Sequence, residues 1–490
     1  MNKQVNPIYK LFQTSNNDFY MFDTYANKIK KVSRNCYEYL RKLEEGKADF
    51  FQEAAIIEDE EFKKFYEESL EQGLFAKYCI EKLQHPMTEL LDDILDVNIE
   101  SINLQVTQNC NLRCEYCPYT GNFYNNRRHT NKSMSFELVK RGIDFLYNHS
   151  MNCEVVNVAF YGGEPLLEFE LIKKSIEYAK EIFRTKKIIF SLTTNAVLLT
   201  DAMMRFFREN DVLLTVSLDG PQNIHDKSRI FANGKGSFEI VYRNLCYFKE
   251  NYLEYFNHNV MFNAVSAQDQ GVIEIDKFFT EDPLFEKCEV ATTFYSTNYV
   301  SNEPQYNNEN DKFVQHMEFE KYKCFLYMMK RIKNFPTRMQ INSFEEIKKT
   351  EKHLKGFMGI PKIFHPAGPC VPGRKKLFMN VDGNFYPCER IDETSPCSVI
   401  GNIDEGLSLE KCEKLLNIGK ITEEKCKGCW AIAHCKFCFI QADSGGELCP
   451  KCRLEKCRNL QDSIIDTFRD ICVLEKNGCL LYTSPSPRDA

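Results

Sequence analysis

The distribution of cysteines constrains this chain more than any other feature of its sequence. Of 22 cysteines, nine lie in residues 1–369 and 13 in residues 370–490, with seven between Cys426 and Cys457. Disulfide scaffolds are usually short and secreted, whereas this chain is long and begins with Met1-Asn2-Lys3-Gln4, which lacks the apolar stretch of a signal peptide. We therefore expect a reducing, cytoplasmic setting, in which clustered cysteines favour metal binding.

Composition and charge narrow the class of protein further. The net charge is −7 and the pI is near 5.9, so we expect no general nucleic-acid binding, which needs a basic surplus. No run approaches the roughly 18 apolar residues needed to span a bilayer, so no membrane association is expected. The apolar content of 43% and the charged content of 27% are typical of a globular protein, and the length predicts several domains.

Residues 1–95 form the first predicted unit. Alternating apolar residues indicate two strands, and Ser33 occupies the N-cap position of the helix that follows. The predicted strands are Asp18–Phe22 and Lys28–Val32. The first predicted helix ends near Glu45, and two more helices are predicted at Glu60–Leu70 and Phe75–Leu83. This order predicts a winged-helix-like module. It serves either as a structural cap or as a docking site that pairs a peptide with an exposed strand edge.

Residues 100–300 change character, because apolar strand-like runs alternate with helical patterns. The predicted strands are Ile102–Thr107, Val155–Tyr161, Ile188–Thr194, Val212–Leu218, Val260–Val265 and Val290–Tyr295. The predicted helices include Ser135–Asn148, Leu171–Phe183, Asp201–Glu209 and Phe238–Asn251. This alternation predicts an α/β fold with parallel strands and right-handed crossovers, arranged as a doubly wound sheet or as a partial (β/α)6 barrel.

Four successive strands end in polar or glycine-rich loops. These loops are Cys110–Cys117, Gly162-Gly163-Glu164-Pro165, Thr193-Thr194-Asn195 and Ser217-Leu218-Asp219-Gly220. In a barrel of parallel strands, the loops after the strands meet at one rim and hold the chemistry. The sequence therefore predicts a functional site at this rim.

The first of these loops has the spacing Cys-x3-Cys-x2-Cys, formed by Cys110, Cys114 and Cys117. Three thiolates can hold three irons of a four-iron cluster and leave the fourth iron open, as catalytic zinc sites keep an open position. The spacing alone also allows a zinc knuckle that lacks one ligand, or a set of buried free thiols.

Together, the four loops resemble the signature of radical S-adenosylmethionine (SAM) enzymes, in which an aromatic residue precedes the third cysteine. The resemblance implies a partial barrel and a 4Fe–4S cluster whose open iron binds the amino and carboxylate groups of SAM. It also implies that SAM supplies a 5′-deoxyadenosyl radical, which removes a hydrogen atom from a substrate. The residues that the resemblance places around SAM are Tyr116, Gly162, Gly163, Glu164, Thr194, Asn195, Ser217, Asp219 and Arg229.

A second cysteine-rich region begins at Cys370. Cys370 and Cys388 flank Val381-Asp382-Gly383-Asn384, which predicts a hairpin turn. Paired Cys-x2-Cys units follow, and these are also typical of zinc ribbons, so two zinc sites fit the bare cysteine count as well. The later cysteines of the region are Cys426, Cys429, Cys435, Cys438, Cys449, Cys452 and Cys457.

This region resembles a SPASM domain, the auxiliary-cluster module of radical SAM peptide maturases. The resemblance implies two auxiliary 4Fe–4S clusters. The ligands that it implies for the first cluster are Cys370, Cys388 and Cys438. Those that it implies for the second are Cys426, Cys429 and Cys435, with a last ligand among Cys449, Cys452 and Cys457, of which Cys452 or Cys457 is favoured.

Two departures from the SPASM pattern affect these assignments. Only two residues, instead of the usual three, separate Cys435 from Cys438. The first cluster is also one cysteine short unless Cys397 or Cys412 contributes. A missing ligand would leave one iron free to bind a substrate thiolate.

The remaining segments carry less information. Residues 301–365 are interpreted as a bridge with helices at Phe319–Lys333 and Phe344–Leu354, and the SPASM domain with its last helix is expected at 366–478. Residues 479–490 include Ser484-Pro485-Ser486-Pro487-Arg488 and are interpreted as a non-native tail. Other cysteines, such as Cys36 and Cys288, are expected to be structural thiols.

The order of the units resembles the maturases of cysteine-rich ribosomal peptides, called SCIFF or ranthipeptide maturases, which join a cysteine sulfur to carbon as a thioether. This resemblance implies a cysteine-rich precursor peptide and a flavodoxin or ferredoxin reductant as partners. The alternative enzyme is a sulfatase-type maturase that makes formylglycine and generally lacks a docking module. A non-enzymatic iron–sulfur electron carrier is disfavoured, because it would not need the polar rim loops. The sequence assigns no catalytic base.

Overall fold

The structure is a computed structural model of the chain. It describes residues 6–46, 49–77, 79–121, 126–266, 271–294, 309–333, 341–356, 359–366 and 368–479. Most of the asparagine-rich stretch that begins the predicted bridge, and most of the predicted tail, lie outside the described residues.

The N-terminal module is a three-stranded antiparallel sheet followed by three helices. The strands are β1 (Tyr9–Gln13), β2 (Phe19–Asp23) and β3 (Lys28–Val32), in the order β1-β2-β3. The helices are α1 (Arg34–Glu45), α2 (Phe50–Ala55) and α3 (Glu60–Glu71). The Ser33 hydroxyl accepts a hydrogen bond from the Cys36 amide and caps α1, as predicted. The sequence patterns do not predict β1 or α2.

The prediction of a helix at Phe75–Leu83 is wrong. Phe75 has a left-handed backbone with φ of 57°, and its amide donates to the Asp23 carboxylate at 2.8 Å. The described residues of this stretch then run without helix into a short strand, β4 (Lys82–Leu83). Phe75, Ile80 and Leu83 are nevertheless buried, so the apolar spacing predicts the burial of these residues correctly but not their backbone conformation.

The middle of the chain alternates strands and helices as predicted. Its strands are β5 (Ser101–Thr107), β6 (Val155–Gly162), β7 (Lys187–Thr194), β8 (Leu213–Ser217), β9 (Val260–Ser266) and β10 (Glu289–Phe294). Its helices are α4 (Leu91–Val97), α5 (Phe136–Asn148), α6 (Phe169–Ile182), α7 (Asp201–Glu209), α8 (Gln222–Ser228), α9 (Phe238–Asn251), α10 (Leu253–Asn259) and α11 (Val272–Glu281).

These six strands pair in parallel in sequential order, from β5 to β10. A doubly wound sheet needs a reversal of strand order, which is absent here. Right-handed crossovers in one direction instead place all connecting helices on one face of the sheet. Of the two predicted arrangements, the strand order therefore supports the partial barrel.

The two faces of this sheet differ in chemistry. Ile102, Val158 and Phe190 align across β5, β6 and β7 and are buried against the helices. On the other face, Asn157 donates to Ser101 and accepts from Ser191, both at 3.2 Å. These polar residues line a cavity of about 190 Å³, so the helix-free face can receive a polar molecule.

The cysteine-rich region is built from short elements and continues the same sheet. The preceding bridge forms α12 (Glu309–Met328), α13 (Ile341–Gly356) and β11 (Ile363–Phe364). The elements of the cysteine-rich region are β12 (Leu377–Met379), β13 (Asn384–Tyr386), β14 (Gly401–Asn402), β15 (Gly406–Leu407), α14 (Leu409–Leu416), α15 (Glu423–Lys427) and the longer helix α16 (Pro450–Lys476). Strand β12 pairs in parallel with β5, which extends the sheet to ten strands, and β11 pairs with β4. The predicted turn joins β12 to β13, with Gly383 at φ of 82°.

The N-terminal module packs on the cysteine-rich region. Phe12 and Phe22, from β1 and β2, contact Phe468 of α16, and Phe22 also contacts Trp430. Asn27 donates to the His353 carbonyl at 3.2 Å and bonds with His434 at 2.7 Å. One face of the three-stranded sheet is thus covered by α16. Within the described part of the chain, no helix has both the length and the apolarity to cross a membrane.

Candidate functional site

The loop with Cys110, Cys114 and Cys117 follows β5 directly and is fixed by backbone hydrogen bonds. The Arg113 amide donates to the Ile230 carbonyl at 2.7 Å, and the Glu115 amide donates to the Ser228 carbonyl at 3.0 Å. The loop is therefore held against the segment that follows α8, which is the segment that contains Arg229.

The loop after β6 approaches the cysteine loop more closely than any residue with a side chain could. The Gly163 amide donates to the Thr107 carbonyl at 2.9 Å, and the Glu164 amide donates to the Asn109 carbonyl at 2.8 Å. A Cβ atom on Gly162 would lie 2.3 Å from the Thr107 oxygen, and one on Gly163 would lie 2.0 Å from the Asn109 oxygen. Both glycines are needed for this contact between backbones.

Glu164 joins the second rim loop to the third. Its buried carboxylate accepts hydrogen bonds from the Thr194 hydroxyl at 2.7 Å, the Asn195 amide at 2.8 Å and the Leu166 amide at 3.0 Å. Burial raises the pKa of Glu164 to about 7, and these donors oppose the increase. Glu164 therefore has a structural role in addition to the SAM contact that the sequence predicts for it.

Asp219, Arg229 and Tyr116 form a buried group at the end of β8. The Arg229 Nε donates to Asp219 at 2.9 Å, and the Tyr116 hydroxyl donates to the same oxygen at 2.5 Å. Arg229 also lies over the Tyr116 ring, 5.4 Å from its centre. Ser217 ends β8 nearby and is half-buried. The structure thus brings together the predicted residues of the first and fourth loops.

The chemistry of the three core thiols suits a metal cluster. Burial raises the pKa of Cys110 to about 12 and that of Cys117 to about 11, and it also raises the pKa of Cys114, which the Arg229 charge opposes. Thiols of this kind become thiolates when a metal replaces the proton. The Asn111 side-chain NH2 is buried beside them without a hydrogen-bond partner. Among the described residues, however, no group of three or more potential ligands is already arranged around a metal position.

The auxiliary cysteines separate into two neighbouring groups. Burial raises the pKa of Cys388 to about 11, and the charge of Cys438 raises it further. Burial also raises the pKa of Cys438, and the charge of Cys370 raises it further. These three are the cysteines predicted for the first auxiliary cluster. Cys397 instead donates to the Gly446 carbonyl at 3.0 Å, and Cys412 is buried in the apolar core.

The second group contains Cys457. Burial raises the pKa of Cys429, and the charges of Cys426 and Cys457 raise it further. Burial likewise raises the pKa of Cys435 to about 11, and the charges of Cys426 and Cys429 contribute to this increase. The Cys452 amide instead donates to the Cys449 sulfur at 3.1 Å at the start of α16. Of the two favoured last ligands, Cys457 is thus an electrostatic neighbour of Cys426 and Cys429, and Cys452 is hydrogen-bonded to Cys449.

A buried polar group between the two regions was not predicted. The Arg127 Nε and the Gln105 side-chain amide each donate to one oxygen of Glu393 at 2.7 Å, and Arg127 lies 3.7 Å from the centre of the Tyr119 ring. The other Glu393 oxygen and the Arg127 Nη2 are buried without a described partner. The sequence signal was weak: Arg127 lies ten positions after Cys117, and Glu393 lies five after Cys388.

Comparisons with known proteins identify relatives of the middle of this chain. Residues 104–270 match the Radical SAM superfamily. A serine-type anaerobic sulfatase-maturating enzyme of Bacteroides thetaiotaomicron is 39% identical over 36% of this chain and 39% of its own length. The radical SAM cyclopropyl synthase TigE of Paramaledivibacter caminithermalis is 25% identical over 55% of this chain and 57% of its own length. The chain therefore aligns with less than two thirds of each of these relatives.

One solved structure, native anSMEcpe with bound AdoMet, has a similar fold. The TM-score is 0.55 at 22% identity, and the match covers 76% of this chain and 99% of that protein. The same protein has been solved with bound AdoMet and a Cp18Cys peptide, with a TM-score of 0.54 at 22% identity, over 76% of this chain and 98% of that one.

The middle of this chain is therefore a radical SAM domain, related to those of anaerobic sulfatase maturases. This confirms the predicted resemblance of the core. The domain implies a 4Fe–4S cluster and SAM, and every core position predicted to bind them lies inside the matched segment.

Proposed function

We propose that this protein is a radical SAM enzyme that modifies a cysteine-rich precursor peptide by forming thioether crosslinks. The observation that carries the proposal is the pairing of β12 with β5. Strand β5 leads into the cysteine loop of the radical SAM domain, and the β12–β13 hairpin leads into Cys388. Neighbouring strands of one sheet therefore lead to both cysteine regions: the core loop follows the C-terminal end of β5, and Cys388 lies towards the other end because β13 is antiparallel to β12. The Arg127–Glu393 pair joins the loops that follow Cys117 and Cys388.

The proposed cofactor ligands follow the structural groups. Cys110, Cys114 and Cys117 hold the SAM-binding cluster. Cys370, Cys388 and Cys438 hold the first auxiliary cluster, with one iron open to a substrate thiolate. Cys426, Cys429, Cys435 and Cys457 hold the second.

Bound SAM supplies the 5′-deoxyadenosyl radical that takes a hydrogen atom from the peptide, after a flavodoxin or ferredoxin provides the electron. The residues of this chain position the reactants. Asp219 fixes Arg229, which binds the SAM carboxylate, while Gly163 and Glu164 fix the SAM amino group beside the cysteine loop. The polar face of the sheet contacts the peptide.

The N-terminal module is the proposed docking site for the leader of the peptide. Its three strands form a separate sheet, so β1 and β3 are edge strands within the described residues. A peptide can extend such a sheet through backbone hydrogen bonds. Because the inner face of the sheet packs on α16, a docked leader stays close to the auxiliary cysteines, which raises the local concentration of the rest of the peptide.

A sulfatase-type maturase is the second candidate. It is favoured by the fold similarity to anSMEcpe and by the sulfatase-maturating relatives. In this reading the same clusters convert one cysteine or serine of a protein substrate to formylglycine. The N-terminal module then has a structural role on α16.

The experiment that separates these functions is incubation of the reconstituted enzyme with SAM, dithionite and a cysteine-rich peptide encoded beside its gene. We expect release of 5′-deoxyadenosine and a loss of two hydrogens for each crosslink by mass spectrometry. Replacement of Cys110, Cys114 and Cys117 by Ala should abolish both signals. Absence of 5′-deoxyadenosine from the unaltered enzyme would refute any radical SAM activity, and conversion of a peptide thiol to an aldehyde would support the second candidate.

A further inference from the structure

Arg453 is a buried cation in the cysteine-rich region. It lies near the N-terminal end of α16, is 1% exposed, and is the largest fully buried side chain in the described part of the molecule. Its Nη1 donates to the Ile418 carbonyl, whereas its Nε is buried without a hydrogen-bond partner. Among the described residues, exposed Lys451 of the same helix forms an ion pair, whereas Arg453 forms none.

The surroundings of Arg453 are the cysteines of the second auxiliary group. Its guanidinium lies 4.6 Å from the centre of the Phe437 ring, and Phe437 stands between Cys435 and Cys438 in the chain. One turn along α16, the Cys457 sulfur donates to the Arg453 carbonyl at 3.4 Å. Burial raises the pKa of both Cys435 and Cys457, and the Arg453 charge opposes this increase for each thiol.

In the described part of the chain, no carboxylate lies within ion-pair distance of the Arg453 guanidinium. His365 is the neighbouring titratable residue, and burial lowers its pKa to about 4, so it is neutral at pH 7. Its Nε2 accepts from the Gly419 amide at 2.9 Å. A buried charge without a partner is strongly unfavourable. The position of Arg453 is therefore explained when the adjacent cysteines are thiolates.

We propose that Arg453 is the internal counter-cation of the second auxiliary cluster and that it raises the reduction potential of that cluster. The inference rests on the proposed ligands Cys426, Cys429, Cys435 and Cys457. A cluster gains negative charge when it is reduced, so a fixed positive charge beside it stabilises the reduced form. Net charge and nearby hydrogen-bond donors are among the factors that set iron–sulfur potentials.

The consequence concerns the direction of electron flow. Formation of one thioether removes two hydrogens from the peptide: one leaves as an atom, and the other leaves as a proton from the thiol, so one electron must be accepted. A raised potential suits the second auxiliary cluster to accept that electron. It makes the same cluster a poor source of the strongly reducing electron that SAM cleavage requires.

The test compares Arg453→Gln with Arg453→Lys, and uses Arg458→Gln as a matched control because Arg458 is exposed on the same helix. Each full-length holoenzyme is assayed for iron and titrated anaerobically, with the clusters followed by electron paramagnetic resonance. We expect Arg453→Gln to lower one auxiliary potential and to leave the potential of the SAM-binding cluster unchanged. Arg453→Lys should stay closer to the unaltered protein, and Arg458→Gln should match it.

Each alternative outcome has a distinct meaning. Full iron content with unchanged potentials in Arg453→Gln would overturn the role of Arg453 while leaving the proposed ligands intact. Iron well below the roughly twelve atoms of three four-iron clusters in the unaltered protein would refute the second cluster itself, and the role of Arg453 with it. If Arg453→Gln loses about four irons, the Arg453→Lys variant decides between two explanations. Retention of iron in Arg453→Lys shows that the cluster requires a positive charge at this position, and an equal loss of iron overturns the proposal.

Discussion

The cysteine loop of the radical SAM domain leaves a seven-residue strand and is tied to neighbouring loops through backbone hydrogen bonds, whereas the auxiliary cysteines lie on segments with little regular structure. Strands β12 to β15 have only two or three residues each. Of the four cysteines from Cys426 to Cys438, only Cys426 lies in a helix, the five-residue α15, and the other three lie in loops. The first region therefore has a scaffold of its own. The second must obtain more of its order from what its cysteines bind.

This difference extends to the two buried arginines. Arg229 in the core is paired with Asp219 at 2.9 Å, so its charge is balanced by the protein. Arg453 in the cysteine-rich region has no carboxylate partner among the described residues and lies beside cysteines. The comparison indicates that the protein balances the buried arginine charge in the core but not in the auxiliary region.

Removal of iron should have the largest effect and should separate the two regions. In an apo protein prepared by anaerobic chelation, we expect residues 370–457 to lose their order while the sheet from β5 to β10 persists, because metal binding supplies folding free energy to small cysteine-rich units. Hydrogen exchange measured by mass spectrometry should show loss of protection in residues 370–457 only. Equal protection of both regions in the apo protein would contradict this picture.

Asp219→Asn should destabilise the core by about 3–5 kcal/mol, because it leaves the Arg229 charge buried without a partner. Urea denaturation of the variant measures this change. The matched control is Asp201→Asn, since Asp201 forms an exposed pair with Arg205 that contributes about 1 kcal/mol or less. Similar effects of the two substitutions would show that the buried pair is not a structural element of the site.

The sequence predicted the core well because long strands leave a strong signal. The strand run Ile102–Thr107 and the helix Asp201–Glu209 agree with β5 and α7 to within a residue, and the rim residues follow from strand order. The β12–β5 pairing could not be predicted, since it joins positions about 275 residues apart through a three-residue strand. The burial of Arg453 and the pairing of Arg127 with Glu393 depend on such long-range packing, and no local pattern records them.

Gly163→Ala tests how much the core site depends on the close contact between backbones. The new Cβ would lie 2.0 Å from the Asn109 oxygen, so the loop before Cys110 must move by about 1 Å. A displacement of that size costs about 100-fold in rate when it misplaces reacting groups. We expect this loss in 5′-deoxyadenosine formation. Gly428→Ala in the auxiliary region should be tolerated, because a Cβ there meets no atom within 4 Å.

The pH dependence of stability should be stronger in the auxiliary region. Burial lowers the pKa of His434 to about 3 and that of His365 to about 4, while the core has His225 at about 4. Below pH 6.5 the unfolded chain binds protons that the native imidazoles do not, so the free energy of unfolding decreases as the pH falls from about 6.5 towards 4.

The His434→Gln variant isolates one contribution to this loss. Between pH 7 and 5 it should lose about 2 kcal/mol less than the unaltered protein, since one pKa unit corresponds to about 1.4 kcal/mol. Urea denaturation can be followed through Trp430, the single tryptophan of the chain, which packs on Phe22 and Phe468. An identical loss in both proteins would show that His434 is not kept neutral by its burial.

Cys452→Ser should have the smallest effect, although Cys452 and Cys457 are equally plausible cluster ligands on spacing alone. The Cys452 amide bonds to the Cys449 sulfur, whereas Cys457 is the electrostatic neighbour of Cys426 and Cys429. We therefore expect Cys452→Ser to keep the full iron content and Cys457→Ser to lose about four irons, the content of one cluster. Iron loss in Cys452→Ser would reverse this assignment, and with it the argument that the thiolates of the second cluster are those that surround Arg453.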